Sequence, residues 1–370
     1  MKRTLLFTGS YSRRLVLGTG EIVPGTGKGI EVFDFNRETG ELTLLHQYPE
    51  EPNPTFLCVD KNKEFLYANH ELKMFKGIDC GGVSAFKIDV DTGALKKLNS
   101  QIAGGTDAAH VNVTPDNRFV LTANYMSGST TVYPRNEDGS VGMMTCFLQH
   151  KGCSADEHRQ QGPHAHQITF DPTGKRVLVP DLGADEIVIY DFDYERGYIT
   201  RADVDYPKVA PGHGPRHCVF GPKGDRLYLI NEMGNTIYVY SYDCETAETK
   251  ELQVVETVPS DWPEWTTTAA IKIHPNGKIL YGSNRGHDSL ITCRIDEETG
   301  LLEKLSLQPI YGHFPRDFDI DSTGRWLICG GQYTDNLVVF RINEEDGALT
   351  KVHEVKGVDA VTGVLLVDFE

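Results

Sequence analysis

The chain has 370 residues, 39% hydrophobic and 9% aromatic, enough for a sizeable core, and a net charge of −17 from 53 acidic and 36 basic residues. Nucleic acid and anionic membranes are bound by positive charge, so such a surface excludes both as expected partners. No apolar run approaches the roughly eighteen residues of a membrane span, and the opening MKRTLLFTGSYS lacks the apolar centre and cleavage site of a secretion signal. The expected setting is the cytoplasm. Eight cysteines scattered without a CxxC pair agree with it, read as buried free thiols.

In chain order, TLLFTGSYS is a strand, followed by a Gly-rich excursion from Gly18 to Gly29 and then GIEVFDFNRETGELTLLHQ. No strand-to-helix context accompanies the excursion, so it reads as a flexible inter-strand loop and not a phosphate loop. From residue 53 a unit recurs about every fifty residues: 53–89, 104–135, 162–193, 212–243, 266–296 and 312–343. Each copy is a short apolar strand, a tight turn, a β-branched and aromatic strand, a polar turn and a third alternating strand. Pro115, Pro172, Pro222, Pro275 and Ser322 mark the first turn. Acidic, Gly-containing hairpins such as DVDTGALKKL and DEETGLLEKL lead into a short outer strand.

Several strands per unit at this period indicate a propeller or solenoid. The chain ends supply one more unit. The N-terminus holds its later strands, and GVDAVTGVLLVDFE holds the first. Pairing the two ends would close a ring and remove open sheet edges. The expected fold is an all-β, seven-bladed β-propeller forming one domain over 1–370.

Two stretches depart from the repeat: the polar insertion 146–163, CFLQHKGCSADEHRQQGP, and 258–268, VPSDWPEWTTT, with two of the three tryptophans. Both precede inner strands and so belong to one face near the axis, where binding tends to reside in repeat folds. Counting six back from the anchors gives the lead-in positions Ala109, His166, Arg216, Ala269 and Arg316, with His110, His164, His217 and Asp317 beside them. Counting nine forward gives the lead-out positions Asn124, Asp181, Asn231, Asn284 and Gly331, followed by Tyr125, Glu232, Arg285 and Gln332.

These side chains are expected to converge on the central mouth. Bland roles compete for several of them. Arg316 has Asp317 and Asp319 beside it for an ion pair, His217 can turn outward into its blade, and His287 with Asp288 can tie a turn. Asparagines at the lead-out positions can equally tie turns through their side chains. His166, Arg216, Glu232 and Arg285 resist dismissal as a set, because four ionisable groups are costly to desolvate without purpose.

The phrases PHAHQITFDPTGKRVLVPDLGADEIVIYDF, GPRHCVFGPKGDRLYLINEMGNTIYVY, SNRGHDS and PRDFDIDSTGRWL resemble the seven-bladed propeller lactonase family over essentially the whole chain. That family includes propeller-type 6-phosphogluconolactonases and eukaryotic 3-carboxy-cis,cis-muconate cyclases. The resemblance implies a His, two Arg and a Glu around the cleft, matched by motif to His166, Arg216, Glu232 and Arg285. His164 in PHAH and His110 in AAHV are closer to the bacterial lactonase branch. They imply hydrolysis of a small, anionic sugar lactone, 6-phosphogluconolactone first, with a muconate cyclase or a non-catalytic binding propeller as alternatives.

In the expected chemistry His166 is the base, Glu232 is an acid/base or orienter, and Arg216 and Arg285 are anion clamps. His110, His164, Asn124, Tyr125, Asp181, Asn231, Asn284 and Arg316 are the expected substrate contacts. No cofactor is expected. A Ca²⁺ on Asp181, Asn231, Asn284 and Glu232 is conceivable from their oxygens, but the flanking arginines oppose it. GxSxG, HExxH and Walker motifs are absent.

Overall fold

The computed structural model describes residues 3–18 and 20–369; Met1, Lys2, Thr19 and Glu370, parts of the expected 1–370 domain, lie outside the described residues. It contains seven four-stranded antiparallel sheets and one two-stranded hairpin. The sheets are the expected blades. Blade 1 has the order Val361–Phe369, Arg3–Ser10, Ile30–Phe35, Leu42–Tyr48, so the C-terminus supplies its innermost strand. Arg3 pairs with Phe369, and the register runs to Gly9 against Gly363 before shifting at Ser10. Blades 2 to 7 follow in chain order, each from the axis outward.

The two middle strands of a blade are buried on both sides, as in Phe119–Asn124 and, but for Lys87, Gly82–Ile88, while the outer strand Leu349–Lys356 alternates half-buried and exposed. Facing blades form the core. Phe7, Val32, Leu66, Phe86 and Val367 pack between blades 1 and 2, and Trp326 packs edge-on to Phe35 across the ring closure. Burial of this kind contributes about 25 cal/mol per Å² of apolar surface and makes neighbouring blades mutually dependent. In the first turn of blade 7, Gly324 has φ +73, and a Cβ there would lie 2.3 Å from His274 Nε2.

Two expectations change. The insertion begins as a strand, since Cys146–Gln149 is the outer strand of blade 3. The Gly-rich excursion is not a loop throughout: its Ile22–Val23 pairs with Leu15–Val16 just before it, and Leu17, Gly18 and Glu21 of this hairpin reach the central cavity.

Candidate active site

Three residues per blade build the mouth of the ring. The residue after the second strand donates its N–H to a carbonyl in the lead-in to the first strand. The pairs are Tyr11 to Ala360, Glu71 to Asn53, Tyr125 to Asp107, Leu182 to His164, Glu232 to Gly214 and Gln332 to Phe314, at 2.7–3.3 Å. In blade 6 the same partners, Thr267 and Arg285, pair within the ladder. Asn53, Asp107, Gly214, Phe314 and Ala360 all have positive φ, which turns the chain towards the axis.

The third position is a register irregularity. Ala109, Arg216 and Thr362 are skipped by the ladder, and such bulges re-aim a side chain. His166 and Arg316 occupy the equivalent place in blades 4 and 7. Small residues at Ala109, Ala269, Thr55 and Thr362 leave room for the large ones.

The result is a cavity of about 760 Å³ whose wall includes Glu71, Asp107, Tyr125, Arg159, His166, Glu232, Trp265, Arg285, Phe314 and Arg316. Glu232 is its electrostatic centre. Oε1 accepts a hydrogen bond from Arg159 Nη2 at 2.7 Å, and Oε2 accepts one from Arg216 Nε at 3.0 Å. Arg285 Nη2 lies 3.0 Å from Oε2 and donates to the Thr268 carbonyl at 2.7 Å, while His166 Nε2 is 3.9 Å from Oε2. Opposite, Glu71 accepts from Tyr11 Oη at 2.7 Å and from Arg316 Nη2 at 3.0 Å.

Burial opposes ionisation of Glu232, but Arg285, Arg159 and Arg216 outweigh it and hold the carboxyl well below its ordinary range. Burial, then Arg216, pushes His166 well below the usual imidazole value, so the ring is neutral. Burial and Arg285 bring Arg216 down to about 9, still a cation at neutral pH. The three guanidinium groups favour the orienting side of the acid/base-or-orienter role expected of Glu232. Of the set weighed for Ca²⁺, Asn231 and Asn284 donate within or beside their own blades and Asp181 pairs with His150, apart from Glu232 and its arginines.

Comparison with known proteins gives the family. A family model described as lactonase, 7-bladed beta-propeller, matches residues 6–366. The chain belongs to that lactonase family. Its relatives include the 6-phosphogluconolactonase of Bacillus subtilis, 34% identical over 90% of this chain and 92% of the relative. The 6-phosphogluconolactonase of Formosa agariphila is 32% identical over 94% and 95% of the two chains. Among solved structures, a candidate 6-phosphogluconolactonase of Bacteroides fragilis superposes with a TM-score of 0.89 at 31% identity, covering 99% of this chain and 98% of the other. The family is one of lactone hydrolases, and this chain is an enzyme of that type.

Of the residues expected at the site, this lactonase brings together His166, Arg216, Glu232, Arg285, Arg316 and Tyr125. Asn124, Asp181, Asn231 and Asn284 are placed elsewhere. Asn124 Nδ2 donates to the Ala103 carbonyl and Ser129 Oγ, Asn231 Nδ2 to Thr236 Oγ1, and Asn284 Nδ2 to the Thr257 carbonyl and Ser289 Oγ. Asp181 accepts from His164, Gly183 and Ala184 N–H groups and pairs with His150. Strand alternation is the cause: Asn124, Asp181, Asn231 and Asn284 turn away from the cavity, and in blades 3, 5 and 6 the following residue, Tyr125, Glu232 or Arg285, lines it.

His164 stacks on Tyr125 at 4.7 Å and backs the cavity wall. His110 stacks on Phe56 at 3.9 Å below it, and His217 stands edge-on to both His110 and His166 instead of turning outward. Arg316 pairs with Glu71, while Asp317 and Asp319 take Lys272. His287 bonds Ser289, and Asp288 receives the N–H groups of Gly286 and Phe314, so both tie a turn.

Sequence reasoning missed Arg159, Glu71, Asp107 and Tyr11. Arg159 lies in the flagged insertion. Glu71 was findable, since it follows Tyr67 by four residues as Glu232 follows Tyr228.

Proposed function

We propose that the chain hydrolyses a six-carbon sugar lactone, 6-phosphogluconolactone, to the open-chain acid. The observation that carries this reading is the buried Glu232 gripped by Arg159, Arg216 and Arg285 on a cavity wall that also receives Arg316. Opening an ester ring requires donors aimed at the oxyanion that forms when water adds. Fixed guanidinium groups supply them, and the Nε atoms of Arg159 and Arg285 are buried without a partner. The same cations suit a phosphate or carboxylate on the substrate.

Tyr125 lines the wall and is held by Arg159 at 2.8 Å. The neutral His166 is a hydrogen-bonding group facing the reacting centre. The names of the relatives support the hydrolase reading. A cytoplasmic setting goes with it, supported by eight unpaired cysteines.

Turnover of freshly made 6-phosphoglucono-δ-lactone beside glucono-δ-lactone, with and without EDTA and with spontaneous hydrolysis subtracted, tests the proposal. A preference for the phosphorylated ring that survives EDTA and is lost in Arg285→Ala is expected. Acceleration of neither lactone would overturn it.

A further inference from the structure

Hydrolysis also needs a group that takes a proton from water, and the cavity's central residues are unsuited to it. Glu232 is committed to three arginines, and protonation of His166 is opposed by its burial and by Arg216, Arg316 and Arg285, which together outweigh Glu232 beside it. Glu71 is bonded at both oxygens, and Asp156 caps the His158 and Arg159 N–H groups with Oδ1.

Asp107 differs. It lies on the cavity wall and is 2% exposed. Oδ2 receives one hydrogen bond, from Lys73 Nζ at 3.2 Å, and Oδ1 is buried with no partner. Its main chain is pinned on both sides, with N–H donated to the Leu72 carbonyl at 2.9 Å and C=O accepting the Tyr125 N–H at 2.8 Å. The backbone there has φ 52, but Asn53 and Gly214 meet the same demand in blades 2 and 5 without a charge. The turn therefore does not explain the carboxylate. An unpaired buried acceptor is unfavourable unless something hydrogen-bonds to it.

We propose that Asp107 is the general base of lactone hydrolysis. This inference rests on the hydrolase reading above. The Asp107 carboxylate takes a proton from a water molecule as the water oxygen bonds to the lactone carbonyl carbon. The C=O π pair moves to the carbonyl oxygen, which the arginines stabilise. When that pair returns, the bond from carbon to ring oxygen breaks, and the departing alkoxide takes the proton back from Asp107. One water is consumed and the carboxyl returns to its starting state.

Burial and the neighbouring Glu71 raise its pKa to about 6, with Lys73 opposing, which suits a group that must both accept and return a proton near neutrality. Tyr11 also faces it electrostatically.

The test is the pH dependence of kcat and kcat/KM for wild type, Asp107→Asn and Lys73→Ala on both lactones, with carboxyl ¹³C NMR of the resting protein. The Asp107 signal, identified by its loss in Asp107→Asn, is expected to titrate near pH 6. Asp107→Asn is expected to lose about 10²–10⁴-fold in kcat with little change in KM, and with it the rise in rate through pH 6. Lys73→Ala removes a cation from the half-exposed rim, so the rise should move to higher pH. Retention of kcat within about threefold in Asp107→Asn, against the 10²-fold floor for a general base, overturns the proposal. So does a midpoint near the ordinary carboxylate value. Wild-type turnover of the unphosphorylated ring alone would overturn the substrate and leave Asp107 to be judged on that ring; turnover of neither would overturn both.

Discussion

Replacing Glu232 by Gln keeps the side-chain shape and removes the charge that binds three buried arginines. Arg159, Arg216 and Arg285 lie within 3.0 Å of its oxygens, and Glu232 and Arg216 are 5% and 2% exposed. Removing one partner from a buried ion network costs about 3–5 kcal/mol, because the other charges stay buried and uncompensated. With an unfolding entropy of about 2.1 cal/mol/K per residue, a chain of 370 residues shifts by about 1.3 °C per kcal/mol, so Tm should fall by about 4–6 °C. The pH dependence has a definite sign. The carboxyl is held below its ordinary 4.5, so its contribution is fully present above that value and is lost as pH falls through the folded-state pKa. The Tm gap between wild type and Glu232→Gln should be flat from about pH 5 to 8 and narrow in acid. Loss of fixed oxyanion donors should also lower kcat about 10²–10³-fold. Calorimetric scans across pH, paired with lactone turnover, measure both. A Tm within about 1 °C of wild type, against the several degrees expected, would refute the claim that Glu232 compensates the arginine cluster.

Two other substitutions separate scaffold from site. Asn284→Ala removes two hydrogen bonds, one to Ser289 inside blade 6 and one to the Thr257 carbonyl in the segment arriving from blade 5, and should cost about 1–3 kcal/mol with kcat unchanged; a large loss of kcat in a stably folded variant would put Asn284 back at the substrate. Trp265 is on the cavity wall yet 61% exposed, its ring parallel to that of Phe314. Trp265→Ala should raise KM a few-fold and spare both kcat and Tm, and an unchanged KM would remove it from the binding surface.

The insertions flagged in the sequence both deliver wall residues, Arg159 from one and Trp265 from the other. Which side chains meet there was legible only in part. His166, Arg216, Glu232 and Arg285 stand out because charged residues rarely interrupt apolar strands. Glu71 and Tyr11 lie in blades whose repeat is weaker or split between the chain ends, and Asp107 falls in a lead-in turn with no distinguishing spacing.

The sequence by itself determined the ring: a strand pattern returning about every fifty residues, with complementary half-blades at the two ends, can bury its apolar faces only by stacking and closing. Only the tertiary structure decided the site. Whether a polar residue faces the axis or its own blade turns on a one-residue step of strand alternation and on bulges at Ala109, Arg216 and Thr362. Which carboxylates are free to take a proton depends on arginines brought from blades distant in sequence, and no local pattern records that distance.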